Sequence, residues 1–500
     1  MSDSDRSPVI IGVGEVCDRP TLDDDARTTP QIIAAAIRAS VLDTGVTEIL
    51  RMVDSLWVVD ALSREDRSVP LHLEIATILD VAPRQQLSSA SPSGNFPIRF
   101  LNNAANAIAT GEVEIALIAG GEAMRTFTRT SERRGANGTQ VIGQYRANGE
   151  EDLAQRYGFR TPMDVYPLYE QATRHAWHQS FHEAQAESGA IWASNAQVAA
   201  RNSYAWIRDG RSGHEIITPA ARNPMLAYPY TRSMVANSGV NQSAAVIVTS
   251  VGRARALGVA ADRMVHVGYG AAADEAPGNL DRESFVSSPA MQVALRRTLD
   301  FNGLVAADLD LVELYSCFPC VPKMARRVIG WPLDRPHSIY GGLTFGGGPI
   351  GNCMTHAVAA LTRRIRGGSR NGLIFANGGF ATKNHAIVLT RDAPRGGRIP
   401  KSYDVQNEAD VCRGPLPKLV DGFAGTAAIE TFAVPYSKDG PQHANVLART
   451  SDNRRVIARV SKTSRATIEW LTSPSSEPVG AIGTTRVGDD GLTYWGQGSS

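Results

Sequence analysis

The chain has 500 residues, more than one hydrophobic core usually organises, so we expect two or three domains. Its 51 Lys and Arg residues nearly balance its 50 Asp and Glu residues, which argues against a general nucleic-acid binder or a protein held on an anionic membrane. The five cysteines are too few and too scattered for a disulfide framework, and the N-terminus has no secretory pattern. Because no apolar run is long enough to span a bilayer, we expect a cytoplasmic protein.

Predicted strands and helices alternate twice along the chain. The first series consists of predicted strands at 9–13, 52–59 and 115–119, with helices at 30–43 and after a Gly/Ser turn at 88–95. The second series repeats this order with strands at 265–267, 311–314 and 373–376, and with helices after 288 and after a glycine turn at 341–351. Alternation of this kind implies parallel sheets sandwiched by helices, and the repetition implies two duplicated halves with a cleft between them.

Two other regions depart from this plan. Residues 125–223 are rich in aromatic residues, His and Arg, with a long helical stretch around 166–208, and predict an insertion that covers the cleft. After about residue 396, short alternating runs predict a separate all-β domain, a small OB-like barrel, while the segment from 488 onward reads as a frayed tail. The predicted domains are 1–250 with the insertion 125–223, then 251–396, then 397–500.

The turn GGLTFGGGPIG at 341–351 is the most distinctive local pattern. Its last six residues satisfy GxGxxG, but they contain a proline and no acidic residue follows at the distance that a dinucleotide site requires. A turn whose backbone N–H groups approach a ligand oxygen explains the glycines better, with Gly347 and Gly348 as the candidate oxyanion site. A purely structural turn remains the alternative.

Polar residues at the ends of predicted strands are the other candidates. Tyr315 and Cys317 end one strand at the edge where α/β sheets bind ligands, and His385 lies beyond the last strand. Each could equally be a packed structural residue. The spacings Cys317-x2-Cys320 and Cys353-x2-His356 also match a Cys₃His zinc site, although isolated thiols at such positions are usually small core residues.

Four segments in this order resemble the motifs of the thiolase superfamily, specifically its sterol-carrier-type branch with an additional C-terminal domain. They are NSGVNQSAAV (237–246), VELYSCF (312–318), GGLTFGGGPIG (341–351) and ANGG (376–379). The resemblance implies a thiolase fold: two Rossmann-like α/β/α halves and an inserted loop domain. It also implies acetyl-CoA acetyltransferase-like (acyltransferase) ancestry in lipid metabolism, a CoA thioester as ligand or substrate with no other cofactor and no metal, and a monomer or homodimer.

The departures from the family's motifs fall on its catalytic positions. Ser91 or Gly94 stands where the family has its nucleophilic cysteine, and Gly348 stands where it has the histidine of the turn. Asn377 lies in the segment of the second catalytic cysteine, and Tyr315 replaces a motif histidine. Of the thiols, Cys317 is retained, and in the sterol-carrier-type branch that cysteine can act as acid/base.

Three functions therefore stay open from the sequence. The first is a CoA-thioester-binding protein with little thiolysis or Claisen activity, since a serine without a base is a poor nucleophile. The second is a retro-aldol lyase acting on β-hydroxyacyl-CoA, and the third is a non-catalytic scaffold in lipid metabolism. The predicted catalytic residues are Tyr315, Cys317 and His385, and the predicted substrate-binding residues are Ser91, Gly94, Gly347, Gly348 and Asn377.

Overall fold

The structure is a computed structural model that describes residues 5–21, 25–133, 153–393 and 401–497. The first half begins with a buried strand and continues as alternating helices and strands. Its elements are β1 (Pro8–Cys17), α1 (Thr29–Thr44), α2 (Ile49–Met52), β2 (Ser55–Val58), α3 (Leu71–Leu79), β3 (Gln85–Ser88), α4 (Phe96–Thr110) and β4 (Ile115–Ala123).

The insertion after β4 is mainly helical. The predicted long helix is two helices, because the Ser180 hydroxyl accepts a hydrogen bond from the Glu183 N–H and the Glu183 carboxylate accepts one from the Ser180 N–H, a capping box that starts a new helix. The elements are α5 (Met124–Arg133), α6 (Leu153–Arg156), α7 (Pro162–Ala176), α8 (Phe181–Arg201), α9 (Gly213–Ile217), β5 (Met225–Tyr228) and β6 (Tyr230–Thr231).

After the insertion the chain returns to the sheet with β7 (Asn241–Ser250), the last strand of the first half, and the second half then repeats the strand–helix alternation of the first. A single π-helical turn, Gly342–Gly346, lies in the glycine turn between α12 and α13. The elements are β7 (Asn241–Ser250), α10 (Val251–Ala256), β8 (Val265–Asp274), α11 (Pro289–Asn302), β9 (Leu311–Leu314), α12 (Cys320–Ile329), α13 (Cys353–Arg366), β10 (Asn371–Gly378) and β11 (Lys383–Thr390).

These strands form one nine-stranded sheet in the order β3-β2-β4-β7-β1-β8-β11-β10-β9. Across the short β1–β8 pairing, β7, β4 and β2 correspond to β11, β10 and β9, as duplicated halves require, whereas β3 at the edge has no counterpart. The prediction of wholly parallel sheets is wrong, since β7 runs antiparallel to β4 and β1, and β11 runs antiparallel to β10 and β8. The turn at 379–382 between β10 and β11 is too short for the crossover that parallel strands need.

The C-terminal region folds as a closed five-stranded barrel, in which β13 pairs with β15 and β17, and β16 pairs with β15 and β18. The expected frayed tail is instead β18, whose Trp495 is buried in the barrel core. The elements are α14 (Gln406–Cys412), β12 (Leu419–Val420), β13 (Gly425–Ser437), β14 (Gly440–Pro441), β15 (Ala444–Arg449), β16 (Arg455–Val460), α15 (Arg465–Leu471), β17 (Ile482–Val487) and β18 (Thr493–Gln497).

Two helices position the functional site. α4 and α13 pack against each other and against the sheet, with Leu101 and Val358 buried between them, while α1 and α3 cover the opposite face. Both helices follow a glycine-containing turn, so their N-termini meet beside these turns. None of the helices in the described ranges is long and apolar enough to cross a membrane.

Candidate functional site

The loop before α4, the turn before α13 and the end of β10 meet at one place. A Cβ built on Gly351 would lie 3.0 Å from the Ser93 backbone nitrogen. A Cβ built on Gly378 would collide with the Ser93 hydroxyl. Glycine is therefore required on two sides of this loop, because any side chain would separate segments that touch.

Gly94 and Tyr315 are in direct contact at this meeting point. A Cβ built on Gly94 would collide with the Tyr315 hydroxyl and would lie 2.7 Å from Tyr315 Cε2 and 2.5 Å from the Asn377 carbonyl oxygen. Tyr315 is itself buried. The phenol thus occupies the space that a side chain at position 94 would need, two residues before the first residue of α4.

The Tyr315 phenol lies beside the thiol of Cys353, the first residue of α13. Burial, followed by the neighbouring Cys353, raises the pKa of Tyr315 well above its usual value. Burial raises the pKa of Cys353 to about 12. Both groups therefore keep their protons at neutral pH, and the pair is suited to donating hydrogen bonds rather than to removing protons.

Cys317 lies next to this pair and contacts the insertion. Its thiol lies beside the phenol of Tyr166 on α7, and burial raises the pKa of Cys317 to about 12. The Tyr166 ring stacks on Phe318 with ring centroids 4.4 Å apart. The insertion therefore supplies a second buried phenol to the site. The aromatic content of 125–223 was the only sequence pattern that pointed to such a contribution.

The backbone N–H groups of the glycine turn are bonded within the protein. The Gly348 N–H donates to the Asn237 carbonyl at 2.9 Å, and the Gly347 N–H donates to the Gly342 carbonyl at 3.2 Å. A Cβ on Gly347 would come within 2.7 Å of Gln242 Cδ. In this arrangement the two N–H groups are not free to bind an oxyanion, so the role predicted for Gly347 and Gly348 stays a prediction.

A buried carboxyl group holds the glycine turn in place. The Ser338 hydroxyl donates to Glu313 at 2.7 Å and accepts the N–H groups of Gly341 and Gly342 at 3.0 and 2.7 Å. Burial raises the pKa of Glu313 to about 8. Sequence reasoning missed this role, although an acidic residue inside an apolar strand is itself a recognisable signal.

Two predicted binding residues, Ser91 and Asn377, lie at different depths. Ser91 is half-buried at the edge of the site, and its carbonyl accepts the Ser89 hydroxyl at 2.8 Å. The Asn377 side chain is buried, and its nitrogen donates to the Asn384 side-chain oxygen at 2.9 Å. The Asn377 side-chain oxygen has no partner within the described part of the chain.

His385 is directed to α4 rather than to Tyr315. Its Nε2 lies 3.2 Å from the Asn102 side-chain nitrogen, and its ring packs against Tyr403 at a centroid distance of 4.8 Å. Asn102 is six residues into α4, roughly 9 Å from the helix start. Burial lowers the pKa of His385 to about 3. The structure therefore does not bring His385 to the other predicted catalytic groups, and its catalytic role stays a prediction.

The four residues of the zinc alternative bind separate partners. Cys320 lies 3.7 Å from the Tyr166 carbonyl, and His356 Nδ1 lies 2.6 Å from Glu15. Cys317 and Cys353 are paired with the phenols described above. Among the described residues, no group of three or more His, Cys, Asp and Glu side chains is placed to hold a metal ion.

Comparison with known proteins identifies this architecture. A family model described as the thiolase-like protein type 1 additional C-terminal domain matches residues 404–491. The crystal structure of a monomeric SCP2-thiolase-like protein type 1 from Mycobacterium smegmatis is 25% identical in sequence, covers 100% of each chain and superposes with a TM-score of 0.82. A search of the curated proteins found no match to the chain.

More distant structures share the fold alone. The Ltp2-ChsH2(DUF35) aldolase is 18% identical, with 77% of this chain and 98% of that chain covered and a TM-score of 0.59. Human mitochondrial 3-ketoacyl-CoA thiolase in complex with CoA is 14% identical, with 78% of this chain and 99% of that chain covered and a TM-score of 0.58. From the type 1 domain, the full-length match and the thiolase fold, we conclude that the chain belongs to the thiolase superfamily as an SCP2-thiolase-like protein of type 1 with the additional C-terminal domain.

Proposed function

We propose that this protein binds a CoA thioester at the site formed around Gly94 and Tyr315 and does not carry out thiolysis or Claisen condensation. The observation that carries the proposal is the contact between Gly94 and Tyr315. Ser91 or Gly94 stands where the family has its nucleophilic cysteine; at position 94 this chain has no side chain, and the phenol of Tyr315 fills the space.

No neighbouring group replaces the missing nucleophile. Cys317 and Cys353 both have pKa values raised to about 12 by burial, so neither thiol ionises near neutral pH. Ser93 directs its hydroxyl to the Asn95 side-chain oxygen at 2.8 Å and has no histidine beside it to act as a base. The described site thus contains hydrogen-bond donors but no activated nucleophile.

The same features favour binding of a thioester. A protonated phenol at the shared N-terminal end of two helices is a suitable donor to a thioester carbonyl oxygen. The buried Asn377 side-chain oxygen has no described partner, and an N–H group of a ligand would satisfy it. The fold is also that of the human thiolase solved with CoA. Together these observations support retention of the ligand after loss of the reaction.

Titration calorimetry with CoA, acetyl-CoA and a longer acyl-CoA tests this proposal. We expect saturable binding, loss of binding in Ser91→Trp at the edge of the site, and unchanged binding in Ser475→Trp on an exposed part of the barrel. Absence of binding at millimolar concentrations would contradict the proposal and would favour the non-catalytic scaffold. Light scattering of the same samples should give one chain per particle, as the Mycobacterium smegmatis relative is described as monomeric.

A retro-aldol lyase is the second candidate, favoured by the position of Tyr315. In that reaction a base removes the β-hydroxyl proton, the bond between Cα and Cβ breaks, and the resulting enolate takes up a proton. Because its pKa is raised, Tyr315 would act as the acid that protonates the enolate. If this protein cleaves β-hydroxyacyl-CoA substrates, Tyr315→Phe should abolish turnover while acyl-CoA binding persists; equal turnover in the variant would exclude Tyr315 as the acid.

A further inference from the structure

A second cluster of polar side chains lies between the C-terminal barrel and the insertion, away from the site above. Asn445 on β15 and Arg459 on β16 are cross-strand partners, and His443 lies two residues before Asn445. They surround Gly158, which follows α6 of the insertion. We call Asn445, Arg459 and His443 the Asn445 cluster.

The Asn445 cluster contains buried polar atoms that nothing in the described chain satisfies. Asn445 is 0% exposed, and neither its side-chain oxygen nor its nitrogen has a hydrogen-bond partner. The same is true of His443 Nε2 and Arg459 Nε among the described residues. Burying an amide without partners is costly, so an unsatisfied group of this kind calls for a bound molecule.

The three side chains converge on the backbone at Gly158. Gly158 has a φ of +92° and no side chain, and a Cβ built there would lie 3.4 Å from Arg459 Nη2, 3.8 Å from His443 Nε2 and 3.9 Å from Asn445 Nδ2. The polar atoms of all three side chains therefore face one point beside the Gly158 backbone. A ligand oxygen bound between these side chains would accept their hydrogen bonds.

The charge at the cluster is positive. The Arg459 guanidinium donates to the Tyr157 carbonyl at 2.7 Å, and none of the described carboxylates forms an ion pair with it. Asp490 is the acidic neighbour, but it already accepts the Tyr494 hydroxyl at 2.7 Å and the Leu492 N–H at 3.0 Å. An arginine without a carboxylate partner, beside amide and imidazole N–H donors, matches the requirements of an oxyanion.

We propose that the Asn445 cluster binds a small oxyanion, the carboxylate or phosphate group of a ligand, at the junction between the barrel and the insertion. A bound oxyanion would accept a hydrogen bond from the buried Asn445 side-chain nitrogen and would neutralise Arg459, so it would stabilise the contact between the two regions. This site does not depend on CoA-thioester binding, because it uses none of the residues around Tyr315.

Thermal unfolding at constant ionic strength tests the proposal with inorganic phosphate in one arm and acetate in the other, each against chloride. We expect a saturable rise of a few degrees in Tm with at least one of the two anions, since a ligand that binds only the folded state stabilises it by mass action. The anion that raises Tm at the lower concentration shows whether the site prefers a phosphate or a carboxylate group.

Two variants show whether the effect arises at this site. Arg459→Gln removes the cation, and Asn445→Asp keeps the shape of the side chain while adding a charge that repels anions; both should lose the anion-dependent rise. Arg465→Gln removes an exposed charge elsewhere on the barrel and should respond as the wild type does. If neither anion raises the wild-type Tm, or if Arg459→Gln responds as strongly as Arg465→Gln, the proposal is overturned.

Discussion

At the scale of single residues, the proposed loss of thiolase activity rests on the contact between Gly94 and Tyr315. Replacing Gly94 with alanine should lower the free energy of unfolding by roughly 1–3 kcal/mol, because the new Cβ would overlap Tyr315 and the Asn377 carbonyl. Denaturant unfolding measures this difference. In a Tyr315→Ala background the same substitution should cost less, and equal cost in both backgrounds would mean that the two positions do not compete for space.

The buried carboxyl group of Glu313 should make stability depend on pH. Its pKa is raised from 4.5 to about 8 by burial, so the folded protein retains a proton that the unfolded chain releases. The free energy of unfolding should therefore fall as pH rises from 4.5 to 8, by up to about 1.4 kcal/mol per pH unit for one proton. Glu313→Gln should remove this contribution, measured by unfolding across the pH range.

Replacement of the exposed Glu469 by Gln is the matched control for that experiment, and this variant should keep the wild-type dependence of the free energy of unfolding on pH. If Glu313→Gln shows the same pH dependence as the wild type, another group is responsible. Glu122, whose pKa burial raises to about 7, would be the next carboxyl group to test.

Sequence reasoning identified several candidate site residues but not the contacts between them. Tyr315, Gly94 and Asn377 were identified as candidates from motif positions, and the structure brings all three together. The proximity of Tyr315 and Cys353 was missed, because thiol spacing alone pointed to metal binding. Long-range side-chain pairs depend on how the two halves pack, which residue spacing does not encode.

At the scale of elements, α7 of the insertion is fixed to α12 by a buried ion pair. Lys323 Nζ lies 2.6 Å from Glu170 Oε1, and both side chains are almost fully buried. Lys323→Met should cost about 3–5 kcal/mol of stability, because it leaves the Glu170 charge buried without its partner. The double variant Lys323→Met/Glu170→Gln should recover part of that loss in denaturant unfolding; if the double variant is less stable than Lys323→Met, the pair is not coupled in this way.

Element positions were largely predictable, whereas strand directions were not. The helix predicted at 30–43 is Thr29–Thr44, and the strand predicted at 311–314 has the same bounds in the structure. The spacing of apolar residues predicts these elements because each element buries one face. That spacing does not determine whether a strand runs parallel or antiparallel to its neighbours, so the antiparallel pairing of β7 and β11 could be identified only from the structure.

At the scale of the whole molecule, the barrel is joined to the second half through Arg455, which is 0% exposed. Arg455 donates to the carbonyl groups of Leu280 and Arg282 at 2.7 and 2.6 Å and to Glu430 at 2.7 Å. Arg455→Gln should lower Tm and speed proteolytic release of the barrel, because the three acceptors at this junction lose the charged donor that joins them. Arg465→Gln is the control, and equal protease resistance in both variants would contradict this role.

The presence of a C-terminal β-domain could be predicted from the sequence, whereas the strand formed by its last described residues could not. Alternating short runs after residue 396 indicated a β-domain, and the structure shows a closed barrel there. β18 was not predicted, because the segment from 488 onward is polar and rich in glycine. One side of this short strand is solvated, so its alternation of apolar and polar residues is weak.

Intact-mass spectrometry after incubation with acetyl-CoA and acetoacetyl-CoA tests the central claim most directly. A thiolase forms an acyl-cysteine on its nucleophile, whereas this chain has Ser91 or Gly94 at that position and the Tyr315 phenol in the space beside Gly94. We predict that the protein keeps its unmodified mass at substrate concentrations that saturate binding in calorimetry. A stoichiometric acetyl adduct that maps to Cys317 or Cys353 would contradict the account.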